Sequence, residues 1–263
     1  MDPHQLSPQA SLMLAAPDEL LERAARRQAP KQPASGGCLI SVIIPAHNED
    51  GYLGETLAAL QCQTYPCFEV VVVANGCQDN TVAVARGRCH RLVALSRKNL
   101  GRARNLGARL ARGALLVFLD ADTLLEPAAL ARMAAEFSET AAAGTVKGRP
   151  DKSRLAYRLI YALKNSVHRW GLHPGSSGVM LCWKEQFMRC GGFDEGLEVR
   201  ENSELLRRLT QFGSYKYLGD ITATTSMRRY EQRGVGRVTW LWCRLWFQSL
   251  LGDLHQKHYE PVR

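Results

Sequence analysis

The chain has 263 residues, of which 46% are hydrophobic, and a formal net charge of +9 at pH 7. This length allows one large domain, or one domain with appendages, and the composition is ordinary for a soluble globular protein. No run reaches the roughly 18 apolar residues that a membrane span needs, and residues 1–27 lack the pattern of a signal peptide. The sequence therefore predicts a cytoplasmic protein whose eight cysteines are reduced and mostly buried.

Strands and helices are predicted to alternate after an N-terminal extension. Residues 1–37 form a flexible extension that ends in a linker rich in proline, alanine and glycine. Strands are predicted at 39–44, 68–74, 91–95 and 114–119, with helices at 52–61, 80–88 and 101–111 between them. Further helices are predicted to open at Pro127 and to cover 153–170 and 199–212. This alternation indicates a single Rossmann-like α/β domain with a central, mostly parallel sheet flanked by helices.

Two aspartates follow the most apolar predicted strand, at residues 114–119. Side chains alternate along an extended chain, so Asp120 and Asp122 project in the same direction from the carboxyl end of a buried strand. Open α/β sheets bind ligands at this place, and paired carboxylates suit Mg²⁺ or Mn²⁺ together with substrate phosphates. A solvated turn with an Asp helix cap fits the two aspartates equally well, so the neighbouring segments decide.

Three other polar segments flank the predicted elements. The first strand runs into residues 45–49, and the second ends in a glycine turn with Asp79 as the cap of the next helix. Residues 99–107 place Arg102 and Arg104 near a helix amino end, where exposed N–H groups favour phosphate. The segments together favour a ligand site over a solvated turn.

The ordered set of segments resembles the family 2 glycosyltransferases with a GT-A fold. The matching stretches are 41–49, 63–73, 103–107, 118–122, 191–195 and 201–205, and the resemblance covers roughly residues 39–220. It implies a GT-A domain over residues 38–227, with a nucleotide-sugar half at 38–125 and an acceptor half at 126–227. A basic, aromatic tail follows at 228–263.

The resemblance also implies roles for individual residues. Asp122 is expected to bind the metal, which is Mn²⁺ or Mg²⁺. Asp120 is expected to contact either the ribose or the metal. The acidic residue that opens the helix after Gly-Gly-Phe-Asp-Glu is the implied catalytic base, which is Glu201 here. The nucleotide-sugar is expected to contact Pro45, Ala46, His47, Asn48, Glu49, Asn75, Asp79, Lys98, Arg104, Asp120 and Ala121.

The implied reaction is metal-dependent, inverting transfer of a sugar from a nucleoside-diphosphate sugar, with UDP favoured, to an acceptor hydroxyl. The acceptor is expected to be lipid-linked or a glycan precursor. In this reaction a metal neutralises the leaving diphosphate, and a carboxylate takes the proton of the attacking hydroxyl.

Two positions depart from the family pattern. Asn75 stands where the family usually has an acidic residue that reads the base, although an amide carbonyl still offers an acceptor. Asn202 stands where the catalytic aspartate is usual, and an amide cannot take a proton, so Glu201 or Glu204 must serve. Glu204 also lies three and four residues before Arg207 and Arg208, the spacing of helical ion pairs. A catalytically inactive, glycosyltransferase-like nucleotide-binding or scaffold protein is therefore the alternative.

Three segments have both a functional and a structural interpretation. Ser176, Ser177 and Gly178 either line the sugar or acceptor site or form a flexible connection. Arg228 and Arg229 either close on the diphosphate from the tail or are surface charge. Residues 239–247, with three tryptophans among basic residues, are typical of a helix at a membrane interface, and equally of core packing or a homodimer contact. Peripheral contact with the inner face of the membrane would give access to a lipid-linked acceptor.

Basic residues are concentrated between residues 86 and 112, where nine lysines and arginines occur without an acid. A patch of one sign attracts anions such as nucleotide phosphates. Nucleic acid is not expected as a partner because the chain lacks a recognised nucleic-acid motif, and because the aspartate pair would repel phosphate without a metal.

Overall fold

The computed structural model describes residues 13–14, 38–171, 175–197 and 201–240. In chain order the strands are β1 Met13–Leu14, β2 Ile40–Ala46, β3 Phe68–Asn75, β4 Arg91–Leu95, β5 Leu115–Leu119, β6 Thr123–Leu125, β7 Ala141–Pro150, β8 Val179–Trp183 and β9 Ser214–Thr225. The helices are α1 Leu53–Gln61, α2 Thr81–Ala85, α3 Leu100–Leu110, α4 Ala129–Glu136, α5 Leu155–Arg169, α6 Lys184–Arg189, α7 Glu201–Leu209 and α8 Arg228–Arg233.

The amino-terminal half is a parallel sheet in the order β1-β4-β3-β2-β5. Every neighbouring pair in this half is parallel. The strands predicted from the sequence are confirmed within two residues at each end, because apolar β-branched runs such as 70–73 suit a strand covered on both faces.

The carboxyl-terminal half continues the sheet as β5-β8-β7-β9-β6. Strand β8 pairs antiparallel with both β5 and β7, β6 pairs antiparallel with β9, and β7 and β9 are parallel. Across the described part of the chain, five of the eight strand pairings are parallel. The prediction of a mostly parallel α/β sheet is therefore confirmed.

The sheet is covered by apolar side chains on both faces. Within β2, Val42 and Ile44 belong to one hydrophobic cluster, whereas Ile43 belongs to a second cluster with Leu116 and Phe118 of β5. This alternation is the period of two that a strand imposes on its side chains. Both faces are therefore filled, and the carboxyl edge of the parallel strands is left for a site.

The start of the predicted tail packs on the body. Tyr230 and Val238 form a buried cluster with Tyr157 and Tyr161 of α5, and the Tyr157 and Tyr230 rings lie 5.9 Å apart. Most of the predicted extension at 1–37, and the tail from residue 241, lie outside the described residues. Among the helices that are described, we find none with the length and apolar character required to cross a membrane.

The cysteines depart from the prediction of mostly buried thiols. Of the seven that lie within the described ranges, all are free thiols, and Cys182 alone is buried. Cys62 is exposed and the other five are half-buried, because they lie at the ends of strands and helices rather than within the hydrophobic clusters.

Candidate active site

The backbone between the two aspartates is held by three hydrogen bonds from different parts of the fold. The N–H of Asp120 donates to the carbonyl oxygen of Gly178 at 2.9 Å, and the Thr56 hydroxyl donates to the carbonyl oxygen of Ala121 at 2.8 Å. The N–H of Ser226 donates to the carbonyl oxygen of Asp122 at 3.2 Å. The turn that carries the aspartates is therefore fixed by both halves of the domain.

The two aspartate side chains are held by two different arginines. Asp120 Oδ1 lies 3.2 Å from Arg104 Nη2, and its side chain is 44% exposed. Asp122 Oδ2 lies 3.3 Å from Arg228 Nη2, and its side chain is only 16% exposed. Burial, followed by the charge of Asp120, raises the pKa of Asp122 to about 7. The pair is thus an acidic centre in which one member resists ionisation.

Arg104 joins the aspartate turn to the predicted catalytic base. Besides Asp120, its guanidinium donates from Nη1 to Glu201 Oε1 at 2.8 Å and to Asn202 Oδ1 at 3.0 Å. It also stacks over the ring of Phe193, with 5.1 Å between Cζ and the ring centroid. This buried arginine brings the carboxyl end of β5 and the amino end of α7 to the two sides of one planar group.

Glu201 and Glu204, the two candidate bases, have different surroundings. Glu201 is buried at the start of α7, beside the aspartate centre. Glu204 is held by Arg208, which donates to both of its carboxylate oxygens, at 2.7 and 2.6 Å. The helical ion pair suggested by the sequence is therefore present, and Glu204 is already used by it.

Asn202 and the 176–178 loop meet beside Glu201. The Asn202 amide donates to the Ser176 hydroxyl at 2.9 Å. Ser177 is buried, and its hydroxyl has no hydrogen-bond partner. Gly178 has a φ of +81°, and a Cβ atom there would lie 2.6 Å from the Thr123 hydroxyl oxygen, so a side chain would not fit. The loop is held against the centre rather than free.

Hydrogen bonds join the loop that follows β2 to the loop that follows β3. Asn48, at a φ of +52°, accepts at Oδ1 from the Gln78 N–H at 2.8 Å, and the Glu49 N–H donates to the Thr81 hydroxyl at 2.7 Å. Asp79 accepts from the N–H and hydroxyl of Thr81 and from the N–H of Asp50. The N-cap of α2 is Asn80, so the predicted cap is wrong by one residue, and Asp79 binds the first helical residue from outside the helix. Burial would raise the pKa of Asp79, but these hydrogen bonds outweigh it and lower that pKa.

Asn75 is buried at the end of β3 and contacts the next loop. Its side-chain oxygen accepts from the Asn99 N–H at 2.7 Å, and Asn99 in turn caps α3 by accepting from the Arg102 N–H at 2.8 Å. Gly76 follows with a φ of +66°, and a Cβ atom there would lie 2.7 Å from the backbone nitrogen of Lys98. Asn75 therefore orders the 75–79 and 97–99 loops, a role that the sequence analysis missed.

Arg228 connects the start of the tail to the same centre. Its guanidinium donates to Glu49 Oε1, pairs with Asp122 and lies 4.4 Å from the ring centroid of Tyr52. Burial lowers the pKa of Arg228, but the hydrogen bond and charge of Glu49 outweigh this and raise it. Burial also raises the pKa of Glu49, against the effect of Arg228. Of the two interpretations of Arg228, surface charge is wrong.

The donor set fits Mn²⁺ or Mg²⁺ with ligands from the substrate. Asp120, Asp122 and Glu49 supply hard oxygen atoms, and Glu49 Oε2 is buried without a hydrogen-bond partner. Among the described residues, three or more His, Cys, Asp or Glu side chains are not gathered as a complete metal site. Small divalent cations commonly use one or two carboxylates, water and substrate phosphate, so the pair suffices as the protein's share.

The remaining predicted contacts are of several kinds. Pro45 and Ala46 are buried in β2, and Ala121 is buried in the aspartate turn, so little of these three predicted contact residues is exposed to a ligand. His47 is half-buried, and its Nδ1 atom has no hydrogen-bond partner. Lys98 is exposed, and Arg229 contributes a charge that lowers the pKa of Asp122.

The basic segment at 86–112 is not one continuous charged surface. Arg104 is buried in the acidic centre, and Arg91 pairs with buried Glu69 at 3.7 Å. The exposed members are Arg86, Arg88, Arg97, Lys98, Arg102 and Arg109. The prediction that all nine basic residues form one anion-attracting patch is therefore wrong for Arg104 and Arg91, which pair with carboxylates inside the protein.

A family model described as Glycosyl transferase family 2 matches residues 41–193, which is more than half of the chain. The chain belongs to glycosyl transferase family 2. The matched residues include the loops at the ends of β2 and β3, both aspartates and Arg104, whereas Glu201, Asn202 and Arg228 lie beyond the match.

Curated proteins with known names resemble parts of this chain. Validoxylamine A glucosyltransferase of Streptomyces hygroscopicus subsp. limoneus is 40% identical over 118 residues, or 42% of this chain and 26% of that protein. Glycosyltransferase AglE of Haloferax volcanii is 40% identical over 91 residues, or 32% of this chain and 30% of that protein. The matches thus span about a third or less of these relatives' lengths.

Solved structures with the same fold cover more of the family 2 chain. The mannosyltransferase PcManGT from Pyrobaculum calidifontis, in complex with GDP-Man and Mn²⁺, has a TM-score of 0.59 at 21% identity and covers 78% of this chain and 63% of that one. S. aureus TarS 1-349 in complex with UDP-GlcNAc has a TM-score of 0.57 at 23% identity, covering 71% and 58%. These neighbours support the GT-A fold.

Proposed function

We propose that this family 2 chain transfers a sugar from a nucleoside-diphosphate sugar to an acceptor hydroxyl, with inversion and with a divalent metal. The observation that carries the proposal is the single guanidinium of Arg104, which contacts Asp120 at 3.2 Å on one side and Glu201 at 2.8 Å on the other. A leaving-group site and a proton acceptor are thereby held on either side of one group, which supports a single displacement, because the two must act on opposite faces of the same anomeric carbon.

Each carboxylate has a separate task in this proposal. Asp122, with Asp120, holds Mn²⁺ or Mg²⁺, which when bound neutralises charge on the leaving diphosphate. Glu201 takes the proton of the acceptor hydroxyl, and Arg104 holds that carboxylate in place. Arg228 and Arg229 supply positive charge from the other side of the centre, close to Asp122.

The 45–49 and 74–79 loops are proposed to bind the nucleoside, with Lys98 close to the diphosphate. We favour UDP because the TarS neighbour is in complex with UDP-GlcNAc. The side-chain oxygen of Asn75 is already used by the Asn99 N–H, so we do not assign the reading of the base to it. The 176–178 loop contacts the centre through Asn202, so we propose that it lines the acceptor or sugar. A lipid-linked acceptor or glycan precursor is the proposed acceptor class.

A thermal-shift screen of nucleoside diphosphates and nucleotide-sugars, with and without Mn²⁺ or Mg²⁺, tests donor binding. A ligand that binds the folded chain at about 100 times its Kd stabilises it by about 2.7 kcal/mol. We expect UDP and a UDP-sugar to raise Tm when metal is present. The shift should grow as pH rises through about 7, because Asp122 must lose its proton to bind the cation. A panel that leaves Tm unchanged at every pH would contradict the proposal.

The second candidate is a glycosyltransferase-like protein that binds a nucleotide or scaffolds partners without turnover. Asn202 favours it, because the amide stands where the family usually has the catalytic aspartate. Metal-dependent nucleotide binding without release of a nucleoside diphosphate from any nucleotide-sugar would support this candidate over the enzyme.

A further inference from the structure

Helix α5 carries an apolar stripe on its outer face. Leu155, Leu159 and Leu163 are 69%, 61% and 67% exposed, and Trp170, directly after the helix, is 70% exposed. At about 100° per residue, these four side chains share an arc of roughly 80°. A surface leucine alone needs no explanation, but an aligned series of large apolar side chains marks a surface that binds something.

The charges on α5 are all positive. Its sequence contains Arg158, Lys164 and Arg169 and no aspartate or glutamate. Arg158 and Arg169 are exposed and border the apolar arc on one side, roughly 40–60° away. Leucines and a tryptophan beside arginines are the composition of a helix that lies in the interface of an anionic membrane.

We infer that the Leu155–Leu159–Leu163–Trp170 face of α5 docks on an anionic lipid bilayer. A second copy of the chain fits this face less well, because pairing two such helices would bring the bordering arginines of both copies together without an acid on either. Anionic headgroups supply the missing negative charge and the acyl region accepts the leucines. This inference concerns lipid binding and goes beyond the proposed transfer reaction.

The opposite face of α5 reaches the candidate active site. Tyr161 is buried, hydrogen-bonds with Thr225 and is influenced by the charges of Asp122 and Asp120. Since a helix with its side chains is about 10 Å across, a bilayer on the outer face would lie about one helix from the acidic centre. Docking therefore orients the acceptor half of the domain toward the membrane.

Co-sedimentation of the full-length chain with vesicles tests this docking. Vesicles of phosphatidylcholine with about one third phosphatidylglycerol are compared with pure phosphatidylcholine. We expect the chain to partition onto the anionic vesicles, and the double variant Leu159→Glu/Leu163→Glu to bind at least about tenfold more weakly. Binding should weaken with added salt, and Arg158→Ala/Arg169→Ala should lose part of the preference for anionic lipid.

Met188→Glu is the matched control, because Met188 is an exposed apolar residue on another helix, α6, at 40% exposure. It should bind vesicles like the unchanged chain. Circular dichroism and Tm establish that each variant is folded, and Trp170→Phe should reduce quenching of tryptophan fluorescence by brominated lipids. Undiminished binding by the double glutamate variant would overturn the inference. The inference would also be overturned if the unchanged chain did not bind anionic vesicles, or if it formed dimers that Leu159→Glu dissociates.

Discussion

Asp122→Asn is expected to reduce sugar transfer by at least about 100-fold and to abolish the stabilisation by Mn²⁺. The change keeps the size of the side chain and removes its charge. Because Asp122 is nearly buried beside Asp120, an amide there weakens the cation site without altering the turn, whose backbone is held by other residues. The measurement is the release of nucleoside diphosphate from the donor identified by thermal shift.

Asp220→Asn is the control for this variant. Asp220 is 88% exposed on β9, so its replacement should leave the activity unchanged.

Asp122→Asn should also be more stable than the unchanged chain without metal at pH 8. The folded pKa of about 7 lies above the ordinary 3.8, so the metal-free chain loses stability as pH rises between these values. Removing the carboxylate removes that loss, a gain on the order of 4 kcal/mol. An active, metal-responsive Asp122→Asn would contradict its proposed role.

Glu201→Gln is expected to lower kcat by about 10²–10⁴-fold while leaving donor binding nearly unchanged. The amide can still accept from Arg104 at one oxygen, so the site should keep its shape, but it cannot take the acceptor proton. The Mn²⁺-dependent Tm shift with the donor should therefore persist. Separating binding from turnover in this way distinguishes a base from a residue that only supports the fold.

Glu204→Gln provides the matched comparison on the same helix. It weakens a bidentate pair with Arg208 in which the two side chains are only 23% and 22% exposed, so a stability cost of about 1–3 kcal/mol is expected. Its kcat should stay within about twofold of the unchanged chain. If Glu204→Gln loses turnover and Glu201→Gln does not, the proposed assignment of the base is wrong.

The parallel half of the sheet could be predicted because its signals are local. Runs such as 70–73 are apolar and β-branched, and they alternate with short amphipathic helices, so strands β2 to β5 follow from the residues themselves. Strand β7 begins with three alanines and a glycine, which have weak strand preference. It forms because β8 and β9 flank it, a tertiary effect that no local pattern reports.

In the candidate site, too, some features follow from the local sequence and others depend on contacts between distant residues. The positions of the two aspartates and Asp79 could be predicted, because each lies where a strand ends or a helix begins. The partners of Arg104 lie 16 and 97 residues away, and Arg228 meets Glu49 across 179 residues. Spacing along the chain does not encode such contacts. The capping pattern of Asn99 before Arg102 was a local signal that could have been recognised.

Metal-dependent transfer through the aspartate pair and Glu201 is tested most directly by measuring nucleoside diphosphate release from a panel of nucleotide-sugars before and after chelation by EDTA. The proposed function predicts release from at least one nucleotide-sugar, its loss on chelation and its recovery when Mn²⁺ or Mg²⁺ is restored. Release that continues unchanged in EDTA, or a bound donor that is never turned over, would contradict it.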